Sequence, residues 1–374
     1  MSHHTLADPH TPVRIILVGA GAMGKNWLGA LTRSPDAEVV GLVDLNLEAA
    51  TEALGEYGLG HLPVDTSVSA LARRTGAQAV VNVTVPVAHH PVSTEALFAG
   101  LPVLCEKPIA PTVATALSLA GAAEASGQLL MTSQSRRHYR AIEELRHGVR
   151  GLGRLGDAST LFAKAPHFGG FRDEMDHVLL VDMAIHAFDA ARYLLDRDPV
   201  AVYCEEYNPA WSWYAGAASA SAIFEFTDGV RYVYHGSWCT PGQETSWNGS
   251  WRIGGEHGTA TWDGDGSPVV ENTAGAVGEL PAHLAEEIDY PEEINGSLAE
   301  FIAALRDGHV PATEVHANIL SLAMVEAAVA SAETGRRIAL ADVLTQARLD
   351  ALAAEQRADI RALLARDAGV TLPA

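Results

Sequence analysis

Short apolar runs separated by polar, helix-forming stretches fill the first third of the chain. Val13-Arg14-Ile15-Ile16-Leu17-Val18 is nearly continuous in apolar character. That is the pattern of a strand buried on both faces, as in a parallel sheet. Gly19-Ala20-Gly21-Ala22-Met23-Gly24 follows at once, and Lys25 to Arg33 reads as a helix closed by Ser34-Pro35. Glu38 to Val43 is a second apolar strand, ending in Asp44. The alternation continues with a helix end at Leu71 to Thr75, a strand at Ala79 to Val85 and a helix at His89 to Ala99. Pro102 to Cys105 reads as a strand, Thr112 to Ser126 as an alanine-rich helix, and Leu129 to Thr132 as another strand. Strands alternating with helices predict a doubly wound parallel sheet over residues 13–133.

The pattern then changes. Gly156 to Lys164, Pro199 to Tyr207, Ala217 to Phe226, Val230 to Cys239, Trp251 to Gly254 and Thr259 to Trp262 are β-rich, and Asp228-Gly229 is a hairpin signal between two of them. The expectation is an α+β domain over residues 134–345, with an open, mostly antiparallel sheet and helices on one face. Leu179 to Leu195 has helical spacing: Leu180, Ala184, Ala187, Ala191 and Leu194 form one apolar face, with Asp182, His186 and Asp189 at i, i+4 and i+7 on the other. Residues 1–12 read as a flexible lead-in, Glu271 to Ala282 as a surface loop, and residues 346–374 as a helical tail of one or two helices.

Composition narrows the function classes. The chain has 374 residues, 48% of them hydrophobic, which suits a folded protein of two domains. Its net charge of −21 argues against nucleic acid and anionic membranes as partners, but not against a small neutral substrate. The three cysteines, Cys105, Cys204 and Cys239, show neither a disulfide framework nor a zinc spacing, and no metal is expected. No apolar run approaches the roughly 18 residues of a membrane span, and the first residues lack the pattern of a secretion signal. A reducing, cytoplasmic setting is the expectation.

The glycines carry the first chemistry. Gly19 permits a tight turn, Gly21 lets the backbone approach a pyrophosphate, and Gly24 lets the helix pack on the strand. The N–H groups of Ala22, Met23 and Gly24 at the helix start then face the phosphates. Asp44 lies 20 residues past Gly24, at a strand end, where its carboxylate suits adenosine ribose hydroxyls and repels a 2′-phosphate. An NAD-binding Rossmann domain follows, with NADP disfavoured.

Three further segments resemble the Gfo/Idh/MocA (glucose–fructose oxidoreductase/inositol dehydrogenase) family. They are Thr84-x-Pro86, His90 and Gly100-Leu101-Pro102-Val103 leading to Glu106-Lys107-Pro108; Asp182-Met183-Ala184-Ile185-His186-Ala187-Phe188-Asp189; and, more loosely, Ala317 to Ile338. The resemblance spans about residues 13–345 and implies an NAD(P)-dependent oxidoreductase acting on CH–OH groups of a sugar, anhydrosugar or cyclitol. It implies Lys107, Asp182 and His186 as the catalytic set, with Thr84, Pro86, His90, Glu106 and Lys107 beside the cofactor, a cis peptide before Pro108, and a homodimer or homotetramer. The residues agree with it. Lys107 sits where a strand of a parallel sheet ends, and an ammonium there can stabilise negative charge on a substrate oxygen. His186 suits removal of the hydroxyl proton, and Asp182 suits orienting that ring or binding the sugar. His167 and Arg172, before that helix, are expected to touch substrate together with Lys107, Asp182 and His186, whereas Trp211, Trp213, Tyr214 and Trp247 fit either a sugar pocket or the core. Two rival functions are an NAD-dependent glycosidase that oxidises its substrate transiently, and a non-catalytic sugar- or NAD-sensing regulator.

Overall fold

The computed structural model describes residues 3–8, 10–275, 284 and 291–366. The chain divides into two compact units. The first takes the chain up to Ser135, Pro291–Ile319, and the chain from Ala347 to the last described helix. The second takes the chain from Arg136, together with Leu320–Gln346.

In the first unit strands and helices alternate: β1 (Val13–Val18), α1 (Ala22–Arg33), β2 (Ala37–Val43), α2 (Leu47–Glu56), β3 (Val64–Asp65), α3 (Val68–Thr75), β4 (Ala79–Asn82), α4 (Pro86–Phe98), β5 (Val103–Glu106), α5 (Val113–Ser126) and β6 (Leu130–Ser133). The sheet order is β3-β2-β1-β4-β5-β6, with every pairing parallel. Strand order reverses between β1 and β4, and the carboxyl ends at such a switch point form the ligand crevice of doubly wound sheets. Local chemistry sets the helix limits. Asn46, Ser67 and Thr112 cap α2, α3 and α5 by accepting from Ala49, Ala70 and Thr115 N–H, and Gly76 and Gly127 close α3 and α5 in the left-handed region.

The second unit begins with α6 (Arg140–Arg150) and β7 (Leu155–Ala163). A π-helical turn, Leu179–Ala184, runs into α7 (Ile185–Leu195). Then come β8 (Pro199–Tyr207), β9 (Ser219–Phe226), β10 (Arg231–Ser237), β11 (Ser250–Gly255), β12 (Gly258–Trp262) and β13 (Val269–Asn272). Asp228 and Gly229 both take positive φ (59° and 76°) in the turn joining β9 to β10, the hairpin expected there. One sheet face is core: Phe188 of α7 meets Phe224 at 4.7 Å and Tyr234 at 5.3 Å edge-on. On the other face Leu161, Tyr203, Ile223 and Val233 are exposed, and Ile223 pairs with both Tyr203 and Val233.

The last elements are α8 (Glu293–Asp307), α9 (Val315–Thr334), β14 (Ile338–Ala339), α10 (Leu340–Ala354) and α11 (Ala358–Ala365). With β14 added, the second sheet runs β13-β12-β11-β7-β10-β9-β8-β14, antiparallel except for β7 with β10.

Three expectations change, and a fourth, the helical tail, gains its packing partner. Residues 134–345 are not one continuous domain: Leu298, Phe301, Ile302 and Leu305 of α8 share the buried core of Trp27, Leu28 and Leu31 in the first unit. The lead-in is tied down, because His4 N–H donates to Gly127 O at 3.0 Å and Leu6 N–H to Leu305 O at 2.8 Å. The tail is helical through Ala365, and from Ala347 it belongs to the first unit. Ile360 lies against Gly121, where a Cβ would sit 2.8 Å from its Cγ2, and the Arg357 guanidinium stacks 3.4 Å over the Phe98 ring. Finally, α9 is long and apolar enough to cross a membrane, and 67% of its most apolar window is buried, as in a core helix. Of the loop expected at Glu271 to Ala282, β13 covers the first two residues, and 276–282 lie outside the described residues.

Candidate functional site

The glycine loop after β1 has the shape of a dinucleotide cradle. Gly19 has φ +109°, and a Cβ there would stand 2.8 Å from Val83 O, just after the neighbouring strand. A Cβ on Gly24 would stand 2.0 Å from Gly19 O, whereas one on Gly21 would meet nothing within 4 Å. Two glycines are therefore required by packing, and the third keeps the outer side of the loop open to a bulky group. Gly21 is also the N-cap residue of α1, whose first turn, Ala22 to Gly24, has N–H groups with no intrahelical acceptor. At the end of β2, Asp44 accepts from Ala20 N–H at 2.7 Å and from Asn46 N–H at 2.8 Å, which fixes its carboxylate beside the loop. These residues fit a dinucleotide.

Two strands further along the edge, Lys107 follows β5, and the Lys107–Pro108 peptide is cis. Glu106 stands just behind it. It accepts from the Trp27 indole N–H at 2.9 Å and from the Lys107 backbone N–H at 3.1 Å. Burial pushes the Glu106 carboxyl above the usual range, against the pull of Trp27 and Lys107. Thr84 is bound to the end of β4, its N–H and Oγ1 both donating to Asn82 Oδ1. Pro86 starts α4. His90 shares a hydrogen bond with Ser118 on α5 at 3.0 Å, and Ser118 in turn donates to Glu355, just after α10. Burial holds the His90 ring below the ordinary histidine range. The structure thus gives His90 to the outer helix layer. The preceding residue, His89, faces the crevice loops instead, with Nδ1 2.7 Å from Pro108 O and Nε2 2.9 Å from Thr84 O.

In the second unit Asp182 lies in the π-helical turn and His186 in the first turn of α7. π turns insert a residue into the helical repeat and recur at functional sites. The simple i, i+4 alignment expected for the pair is therefore replaced by a wider turn. Arg172 Nε donates to Asp182 Oδ2 at 2.6 Å, so two of the expected substrate residues are joined directly. His167 stacks on Trp213 at 3.6 Å between ring centres, and the Arg172 guanidinium lies 4.7 Å from the Phe171 ring. His186 lines a cavity with Arg136, Thr160, Tyr234, Trp247 and Asn248. Ile142, Phe162, Met183, Ala187, Ala190 and Trp251 complete the lining, which is mostly apolar. Of the four uncertain aromatics, Tyr214 is buried core, its ring 6.0 Å from Trp238, while Trp211 and Trp247 are exposed.

Asp189 does not share a solvated face with these groups. It is 1% exposed and receives Arg137 Nε and Nη2, each at 2.7 Å, and Ser321 Oγ at 2.7 Å. Next to Arg137, His138 is held down to about 4 by burial and by that like charge. Sequence reasoning missed His89, Asn82, Trp27 and Arg137. The neighbouring pair His89-His90 was the one visible signal. Successive helical residues point about 100° apart, so the pattern alone did not say which of the two faces the crevice.

The comparisons with known proteins agree with the fold of both units. The profile of the oxidoreductase family with NAD-binding Rossmann fold matches residues 13–134, and that of the GFO/IDH/MocA C-terminal domain matches residues 151–261. The chain is 27% identical over 335 residues to the 1,5-anhydro-D-fructose reductase of Ensifer adhaerens, spanning 86% of this chain and 96% of that one. It is 26% identical over 332 residues to an inositol 2-dehydrogenase of Streptomyces avermitilis, spanning 87% and 93%. An oxidoreductase from Agrobacterium radiobacter, solved with NAD+, L-tartaric acid and magnesium, shares the fold with a TM-score of 0.77 at 19% identity, over 89% of this chain and 100% of that one. With a matching nucleotide domain, a matching C-terminal domain and relatives aligned over most of its length, the chain belongs to the Gfo/Idh/MocA family of oxidoreductases.

Proposed function

We propose that this protein is an NAD-dependent dehydrogenase that oxidises a ring hydroxyl of a sugar, anhydrosugar or cyclitol, or reduces the corresponding ketone. The observation that carries this reading is the dinucleotide cradle of Gly19, Gly21, Gly24 and Asp44; in the second unit His186 lines a largely apolar cavity, and Arg172 holds the Asp182 carboxylate. The names of the relatives, an inositol dehydrogenase and an anhydrofructose reductase, support the substrate class. Gly19, Gly21, Ala22, Met23, Gly24 and Asp44 would hold the dinucleotide, with Thr84, Pro86, Glu106 and Lys107 along the same edge. Asp44 favours NAD over NADP by repelling a 2′-phosphate, and no arginine follows it to receive one. When bound, NAD supplies the hydride acceptor. His186 would take the hydroxyl proton, Lys107 would stabilise negative charge on a substrate oxygen, and Asp182 would orient the substrate. His167 and Arg172 border the substrate. We further propose that the exposed sheet face around Ile223 pairs with a second copy of the chain, since a contiguous apolar strip there gains from being covered.

The test is NADH formation across a panel of monosaccharides, anhydrosugars and inositols. A Lys107→Ala variant should lose about 100-fold or more in turnover while still binding NADH, because the ammonium acts on the reacting oxygen and not on the dinucleotide. Near-normal turnover in that variant would refute the assignment.

A further inference from the structure

A buried histidine touches both loops at the crevice edge. His89 is 1% exposed, on α4. Its ring stands between the carbonyl of Thr84, in the loop after β4, and the carbonyl of Pro108, in the turn that carries Lys107. These loops follow neighbouring strands, β4 and β5. The Thr84 loop is also held at its base. Asn82 Oδ1 receives Thr84 N–H and Oγ1, while Asn82 Nδ2 donates to Ser93 Oγ at 3.0 Å and to His89 O at 3.3 Å.

We propose that His89 is a positioning residue for Lys107: its imidazole clamps the Lys107–Pro108 turn to the Thr84 loop, and so sets where the ammonium lies along the cofactor edge. The proposal rests on the assigned role of Lys107. A carbonyl oxygen only accepts, so each contact calls for a hydrogen on the ring nitrogen facing it. Burial holds the His89 pKa below the ordinary range, and the Lys107 charge acts the same way, against the two carbonyls. The ring donates to whichever carbonyl its N–H faces, and a doubly protonated ring donates to both. His90, one residue on, points to Ser118 and cannot substitute.

The test is hydrogen exchange measured by mass spectrometry on the full chain. In His89→Ala, amides of the Glu106–Ala110 segment and of the Thr84–Ala88 loop should exchange about fivefold faster, the loss expected for one buried hydrogen bond. Amides of β1 and β2 should not change. His89→Gln keeps one donor and should restore most of the protection, and His90→Ala should leave both segments as in the native chain. Should His89→Ala fail to fold, His89→Asn, polar but too short to span both carbonyls, carries the same expectation. Unchanged exchange in the two loops of a folded variant overturns the proposal, as does an equal rise throughout the first unit or no protection from Gln. Because exchange does not depend on catalysis, the result stands apart from the Lys107→Ala turnover test, so the two ideas can fail separately.

Discussion

Replacing Asp189 by alanine leaves the Arg137 guanidinium inside the second unit without its carboxylate. In the native chain the two side chains form parallel bonds of 2.7 Å, with Arg137 7% exposed and Asp189 1% exposed. Water cannot take the place of a carboxylate in so closed a setting. Removing one partner of such a pair costs about 3–5 kcal/mol. Removing both, in Arg137→Met with Asp189→Leu, also removes the cost of burying two charges, so the double variant should lie within about 1–2 kcal/mol of the native chain. Urea unfolding followed by tryptophan fluorescence reads this selectively, because six of the seven tryptophans belong to the second unit. With a slope of about 3 kcal/mol per molar urea, the single variant should lower the midpoint by about 1–1.7 M and the double by far less. A single variant within about 0.3 M of native, or a double as unstable as the single, would show that the pair does not hold this helix in the way its geometry implies.

Two further outcomes are expected. His138 is held at about 4 when folded against 6.5 for an ordinary histidine, so the unfolded chain takes up a proton first as pH falls. Its contribution to stability is full above pH 6.5 and is lost progressively down to about 4, amounting to about 3 kcal/mol. His138→Gln should therefore lose clearly less stability than the native chain between neutral pH and mildly acid urea titrations; equal acid sensitivity would dismiss the assignment. Separately, Ile223→Glu places a charge in the middle of the exposed sheet strip. Sedimentation should show a smaller species than the native chain, and an unchanged size would place any self-association elsewhere.

The nucleotide domain was legible because its signals are local. A buried strand, glycines at fixed spacing, a helix and a terminal Asp44 fall within a few dozen residues, and each constrains backbone geometry directly. The Asp228-Gly229 hairpin was legible for the same reason. What escaped depended on distant partners. The apolar stripe of α8 shows that the helix is covered, but not that Trp27 covers it. Asp189 looks like part of a polar helix face until Arg137, 52 residues earlier, is seen to bury it. The π turn at Leu179–Ala184 shifts Asp182 by the equivalent of one residue, and no residue type announces such an insertion. The His89-His90 choice turned on a single step around a helix.

The contact between Trp27 and Glu106 has a mechanical meaning. The indole belongs to the helix that follows the glycine loop, and the carboxylate belongs to the residue that precedes the lysine. A strut thus runs beneath the coenzyme crevice from one bank to the other, anchored at a fully buried tryptophan. A tilt of either bank would cost that hydrogen bond, so when a dinucleotide settles in, the short loops above the strut are the easier part to yield.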